Sequence, residues 1–580
     1  MFGPSSPFDR TVTVPAARLI IDRYLPGYVA SPQGAQLGDL PLGLLAIRVP
    51  ALRDDPQRLD QFWAELAALA DDAPAVTYSE PITPDPGYES EDVARGSAAL
   101  ILPKPTPRWG VVELVLEGPS HGNPFVDVDV WAQFSLGERT VRAGGFYDGG
   151  GTYRIRMLAE EEGTWSVTTG STARSLDGVV GEVEVVAPDP GAHGPVRVDG
   201  FHFVHADGTR YRPWGTTAYA WTHQPEVLQD ATLATLADGP FTKMRMCLLP
   251  KSCLFTTNEP ERLPFVRTQD GFDETRFDVE SFARLEARIA QLAALGIEAD
   301  LILFHPYDRW GFAAMGPTTD DRLVRYAVRR LAAFANVWWS LSNEFDLISG
   351  KSPEDWLRIG ALIGAEDPHG HLVGNHNCTT FYDNSLPWIT HSSLQRIDVY
   401  RTAEYTDVWR ERWGKPVVID EIGYEGDIEH GWGNLSGQEL IRRFWEGAVR
   451  GGYVGHGETF LNDREELWWS KGGELVGESP ERIGFLARIV AESPAGVLDP
   501  CPSDWDVPWG GVEGEYLVGY FGFMCPRYRN VRLPEGEFRV DVIDTWGMTV
   551  DALSGTFRDQ VEVPMPARPY MAIRLVKVGA

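Results

Sequence analysis

The feature that most constrains this chain lies in residues 198–498, where eight apolar, strand-like runs alternate with amphipathic helical stretches. The runs are 212–218, 242–248, 298–304, 337–342, 371–375, 388–391, 416–421 and 453–458. Successive strands joined through a helix lie parallel, with the helices covering the sheet. Eight such units match the size of a closed (β/α)8 barrel. The helices carry start and stop signals. Ser352-Pro353-Glu354-Asp355 and Ser436-Gly437-Gln438-Glu439 read as capping boxes, and Ser479-Pro480 as an N-cap followed by proline. A helix bearing Phe282, Leu285, Ile289 and Leu292 stops at Gly296. The weakest unit is the fifth, because 376–388 is short for a crossover helix.

The flanks read as β. In 106–197, Val112, Leu114 and Leu116 alternate with other residues, as do Val126, Val128 and Val130 with Asp127 and Asp129. Turn signals at Gly149-Gly150-Gly151 and Glu162-Gly163 bound short runs such as Tyr153–Met157, which predicts a small antiparallel β-sandwich. Residues 499–580 return to strand patterning at 516–521 and 538–544, predicting a C-terminal β-sandwich. Residues 1–105 are an extra N-terminal region, read as α+β. Asp55-Pro56 opens a helix there over 56–70, and a proline-rich stretch from 80 to 107 reads as a linker. The expected fold is therefore an α/β barrel with a β-sandwich on each side and an unassigned N-terminal region.

Charge narrows the partners. With 83 acidic against 52 basic residues, the net charge of −31 repels nucleic acid and anionic membrane surfaces. The first residues show no charged n-region or apolar h-region, and no apolar run is long enough to span a bilayer, so a cytoplasmic location is expected. Five cysteines without CxxC spacing suggest neither a disulfide framework nor a zinc knuckle. No cofactor and no metal are expected. Self-association into a homo-oligomer is one role open to the N-terminal region.

In a barrel of this kind, chemistry sits at the C-terminal strand ends. Those ends carry Tyr219 and Trp221, Arg245, His305, Asn343-Glu344, Asn375-His376, His391, Glu421 and Tyr424, and Glu458, with Trp468 and Trp469 just beyond. Strands four and seven face each other across a barrel mouth, so Glu344 and Glu421 are expected to form a carboxylate pair. Glycosidic bond cleavage needs such a pair, one acid for the leaving oxygen and one carboxylate for the anomeric carbon or a water. Asp420, next to Glu421, is expected on the opposite face of its strand. Trp221, Trp310, Trp432, Trp468 and Trp469 are candidates for stacking on a sugar's apolar face. Glu458 is a candidate third pocket carboxylate.

Trp338-Trp339-Ser340-Leu341-Ser342-Asn343-Glu344 resembles the strand-four motif of clan A glycoside hydrolases, family 5 among them, and Lys415–Gly423 resembles their strand-seven motif. Asp207–Tyr219, Ile543–Thr549 and Pro569–Arg574 are similar to less characterised relatives of that clan, which carry an Ig-like domain before the barrel and a small β-domain after it. The resemblance covers about residues 109–580. It implies Glu344 as acid/base, Glu421 as nucleophile and Asn343 on the sugar 2-hydroxyl. It also implies Arg245 steadying the nucleophile, and His305 and His391 beside the substrate. Ser393 stands where the clan often has a tyrosine, which leaves Tyr424 as the phenol expected beside Glu421. The implied activity is retaining O-glycoside hydrolysis without a cofactor; flanking sandwiches that shorten the cleft, and the expected cytoplasmic location, favour exo action on oligosaccharides or small glycosides. Endo-glycanase or transglycosylase action on the same carboxylates, and a non-catalytic carbohydrate-binding barrel, are the alternatives. The mechanism predicts a raised pKa at Glu344 and a Glu421 kept ionised by Arg245.

Overall fold

The computed structural model describes residues 2–579 except 5, 32–33, 35–36, 39, 70–81, 270, 397–400 and 503. At its centre is an eight-stranded parallel sheet curled into a near-barrel. Its strands are Gly215–Thr217, Lys243–Cys247, Glu298–Phe304, Val337–Ser342, Val373–Gly374, Ser392–Gln395, Val417–Glu421 and Tyr453–His456. Their order across the sheet is five, four, three, two, one, eight, seven, six. Between strands five and six, where no ladder is formed among the described residues, a side chain substitutes. The Asn377 amide donates to the Gln395 carbonyl at 3.0 Å and accepts from the Gln395 N–H at 3.3 Å.

Seven of the expected runs contain the observed strands, but the sixth is displaced. The apolar run 388–391 lies before the strand, with Ile389 in the outer core and Trp388 against the helix Pro353–Glu366. The strand itself is the polar Ser392–Gln395. Small hydroxyls suit this wall because the barrel interior is ionic here, and Ser393 Oγ donates to Asp420 at 2.6 Å.

The barrel floor is closed by an antiparallel sheet of Val196–Asp199, His202–His205 and Arg210–Tyr211. Phe203 and Tyr211 pack there on Trp338, Val418 and Tyr453. Trp339, one residue on, points outward and donates to Asp367 at 3.0 Å, as strand alternation requires. The helices bury one face each. Val279–Ala294, for example, is capped by Asp278 and buries Phe282, Leu285, Ile289 and Leu292.

The first flank is an eight-stranded antiparallel-rich assembly whose strand Arg139–Tyr147 pairs first with Val130–Leu136 and then with Thr152–Leu158. Gly145 sits at this switch. A Cβ there would meet Ile155 Cγ1 at 2.7 Å and the Arg154 carbonyl oxygen at 2.8 Å, so the bend needs glycine. Two local expectations differ. The Val-Asp alternation at 126–130 is a helical turn, Pro124–Asp127, before the strand starts at Val130, because Asp127 accepts from the Asn123 N–H and closes a turn led by Pro124. The proline-rich stretch also contributes to the sheet. Ala99–Ile101 pairs with Val115–Glu117, and Tyr88 is in the same core. This assembly locks onto the barrel through Arg156, which reaches Glu286 at 2.7 Å, and Arg330, which reaches Glu286 at 2.6 Å and Asp148 at 2.7 Å.

The described residues of 2–69 form a small helical body around Phe8, Ile21, Leu45, Phe62 and Leu66. The helix Pro56–Ala67 starts as expected, with Asp55 accepting from the Arg58 N–H. That body's apolar cluster includes Leu347 and Cys378 of the barrel loops. At the C-terminus, a six-stranded antiparallel sheet and a two-stranded ribbon enclose Phe538, Val540, Val563 and Ile573, and Tyr520 stacks on Trp445 of a barrel helix at 5.5 Å. Among the described residues no helix is long and apolar enough to cross a membrane.

Candidate active site

A buried ion cluster supports the mouth from below. Lys243 Nζ donates to Asp300 and Asp420, each at 2.6 Å, and Arg245 Nη1 reaches Asp300 at 3.3 Å. All four side chains are nearly solvent-free. Lys243 and Arg245 hold Asp420 ionised, well below the usual carboxylate range, even though burial opposes this. Asp420 therefore points inward, contrary to expectation. The ladder between strands six and seven shifts at Leu394/Gln395, so both Asp420 and Glu421 face the interior.

Above this cluster the two expected carboxylates are each held by a tyrosine. The Tyr219 hydroxyl donates to Glu421 Oε1 and the Tyr307 hydroxyl to Glu344 Oε2. Gln395 Nε2 donates to the other oxygen of Glu344 at 2.6 Å. Glu344 has φ 55° and ψ 58°, a left-handed conformation uncommon for a non-glycine residue. It costs on the order of 1 kcal/mol and turns the residue off the end of strand four, as strained backbone at functional sites often does. His376 Nδ1 accepts from the Glu344 N–H at 3.4 Å and helps hold that turn. Arg245 Nη2 donates to Asn343 Oδ1 at 3.1 Å, and the Tyr219 hydroxyl lies 3.1 Å from the same oxygen. This fixes the amide so that its NH2 is the group left for a ligand.

The titration differs from expectation. Burial, and then the charge of Glu344, raise Glu421 to about 7, against the opposing hydrogen bond from Tyr219 and the charges of Lys251 and Arg245. Arg245 is thus outweighed at Glu421.

The other expected residues divide. Trp469 lines the site beside Tyr219 and Tyr424, and half-exposed Trp432 lies 4.9 Å from Trp469 at the rim. Tyr424 is buried in the same cluster, but the phenol on Glu421 is Tyr219, a residue on strand one's loop. Asn375 accepts from Ser342 Oγ at 2.6 Å and braces strand four. His305 contacts the Leu249 carbonyl at 3.2 Å and is kept neutral by burial, which lowers its pKa to about 3. It anchors the loop after strand two.

Four residues fall away from the mouth. His391 precedes strand six and packs edge-on against Trp338, 5.2 Å between ring centres, on the floor side of the ion cluster. Trp221 is fully buried in the main core, and Trp468 is buried there with its indole N–H on Thr216 at 2.8 Å. Neither offers a face to a sugar. Glu458 accepts from the Val476 and Gly477 N–H groups at 2.8 and 2.9 Å, while Glu425 beside it accepts from Glu478 and Ser479 at the start of the last barrel helix. These carboxylates bind the chain's own backbone.

Gln395 and Lys251 are not singled out by the sequence, and Tyr307 stands at the end of strand three without an assigned role. Gln395 gave no signal because its strand is polar, whereas Tyr307 follows a strand-end histidine by two residues. Cys378 lies beside Glu344, and burial together with that charge raises its thiol pKa well above normal. Among the described residues no three His, Cys, Asp or Glu side chains converge as metal ligands.

A crystal structure from Bacteroides vulgatus ATCC 8482, described as "a putative glycoside hydrolase", is 36% identical, with a TM-score of 0.78 over 82% of this chain and 100% of that one. The chain belongs to that glycoside hydrolase family. A family 5 glycoside hydrolase from the same organism matches at 15% identity and TM-score 0.52, over 66% of this chain and 94% of that one, and shares the fold. Within this family member, residues 105–172 match a domain of unknown function (DUF5060) and residues 505–576 another (DUF5605). These fall in the first sandwich and in the C-terminal sheet. No curated protein matches the chain.

Proposed function

We propose that this protein is a retaining O-glycosidase that removes single sugars from short glycosides, with Glu421 as nucleophile and Glu344 as acid/base. The observation that carries the reading is the pairing of two carboxylates at one mouth, Glu344 buried and Glu421 half-buried, each clasped by its own tyrosine. Glu421 attacks the anomeric carbon while Glu344 gives its proton to the departing oxygen. Glu344 then takes a proton from the water that releases the sugar. Tyr219 orients the attacking oxygen, and the Asn343 amide meets the hydroxyl next to the reacting carbon.

Exo action is favoured by enclosure. Glu344, Lys251 and Trp469 are each under a tenth exposed, and the N-terminal helical body packs on Leu347 and Cys378 beside the Glu344 turn. A walled pocket takes a chain end more readily than a chain interior.

The test is hydrolysis of a panel of nitrophenyl pyranosides and furanosides, both anomers, by wild type, Glu421→Gln and Glu344→Gln. Release by wild type that falls at least a thousandfold in Glu421→Gln supports the assignment. Equal release by wild type and Glu421→Gln refutes it.

A further inference from the structure

Lys251 follows strand two in the loop Leu249-Pro250-Lys251-Ser252 and is 2% exposed. Its ammonium lies 3.7 Å from the ring centre of Tyr219, 4.4 Å from that of Tyr307 and 4.4 Å from that of Trp469. The two tyrosines are the ones bonded to Glu421 and Glu344, so the cation stands against both of the rings that hold the carboxylates. The position is built. His305 holds the Leu249 carbonyl at 3.2 Å, and the Ser252 N–H donates to the Tyr307 carbonyl at 2.7 Å.

What the ammonium lacks is an acceptor. Among the described residues no carboxylate lies within ion-pair distance of Lys251, and none accepts a hydrogen bond from it. Every other buried lysine here is paired: Lys243 with Asp300 and Asp420, Lys351 with Asp320. A buried cation facing only aromatic rings keeps part of its solvation loss uncompensated, because ring faces replace neither an anion nor three hydrogen-bond acceptors. Lys251 also eases the charge on Glu421, ahead of Arg245 below it, but it forms no ion pair with that carboxylate, so its donors stay open to a ligand.

We propose that Lys251 is a specificity-determining residue that receives the carboxylate of an acidic sugar, so that the enzyme cleaves uronosides in preference to neutral hexosides. The inference rests on the glycosidase reading above. A single ammonium in an aromatic box suits one small monoanion on a sugar ring. A sulfate or phosphate ester carries more acceptor oxygens than one lysine can satisfy and is better met by an arginine fork.

The experiment compares nitrophenyl glucuronide and galacturonide with the matched hexosides and 6-sulfated hexosides, using wild type and Lys251→Met. Expected is a kcat/KM for a uronide at least tenfold above its hexoside. In Lys251→Met that ratio falls by roughly 10–100-fold, the worth of a charge-assisted hydrogen bond, mainly through KM. A wild type that prefers the neutral or the sulfated sugar overturns the proposal, as does an unchanged ratio in the variant. Calorimetric titration with free glucuronate and galacturonate reads the same site without turnover. Binding by wild type that is weakened in Lys251→Met supports the proposal even if no glycoside is cleaved, in which case only the hydrolase reading fails. Equal binding of acid and neutral sugar by wild type overturns it.

Discussion

Replacing Tyr219 by phenylalanine removes one oxygen and leaves the ring under Lys251 in place. The lost group is the hydroxyl that donates to Glu421. A hydrogen bond to a charged acceptor contributes about 1.5–3 kcal/mol. At about 1.4 kcal/mol per pKa unit, that stabilisation of the ionised carboxylate corresponds to roughly 1–2 units. Glu421 already sits at about 7, raised by burial and by Glu344. Its folded pKa therefore rises further in Tyr219→Phe, and the ionised nucleophile is lost at pH values where wild type keeps it. The acid limb of kcat/KM against pH, which reports the free enzyme, moves up by about 1–2 units. At pH 6, well below the limb, kcat/KM falls about 10–100-fold, and the loss shrinks as pH rises above 8. Initial rates from pH 5 to 9, with circular dichroism to confirm folding, make the measurement. An unmoved acid limb would refute the role given to this hydroxyl, and a pH-independent loss would make Tyr219 a binding group only.

Gln395→Leu removes the amide donor to Glu344 and lowers kcat/KM by about tenfold with little change in melting temperature, because only one charged hydrogen bond is lost. Lys243→Met removes one of the two cations shared by Asp300 and Asp420, leaving two buried carboxylates to Arg245 alone, and destabilises the fold by about 3 kcal/mol in denaturant unfolding. Glu298, buried beneath Trp338, has its pKa raised by burial to about 8. Because the folded state holds this proton while the unfolded chain has released it, stability falls as pH rises from about 4.5 to 8, and Glu298→Gln melts higher relative to wild type at pH 8 than at pH 5.

The sequence was readable where physical periodicity was simple. Strands such as Glu298–Phe304 and Val337–Ser342 are buried on both faces and carry mostly apolar residues, because helices cover the outer side and the barrel interior the other. That made Asn343-Glu344 and Asp420-Glu421 recognisable as strand-end motifs. It failed where the barrel interior turns ionic. Ser392–Gln395 carries no apolar signal, so strand six was placed on the preceding Trp-Ile run, and His391 was drawn toward the mouth while Gln395 went unseen. The irregularity that turns both Asp420 and Glu421 inward depends on the register of a neighbouring strand and leaves no local mark. Trp468 and Trp469 are adjacent, yet one is core and the other lines the site, a difference set by the short helix Trp468–Lys471. Composition could not separate them.

The central claim is that Glu421 attacks the sugar. The most direct measurement is the mass of the intact protein after incubation with an activated 2-deoxy-2-fluoroglycoside of the accepted sugar, followed by peptide mapping. One glycosyl adduct on Glu421, absent in Glu421→Gln, is the predicted result. An adduct on another residue, or turnover of the parent glycoside with inversion at the anomeric centre, would contradict it.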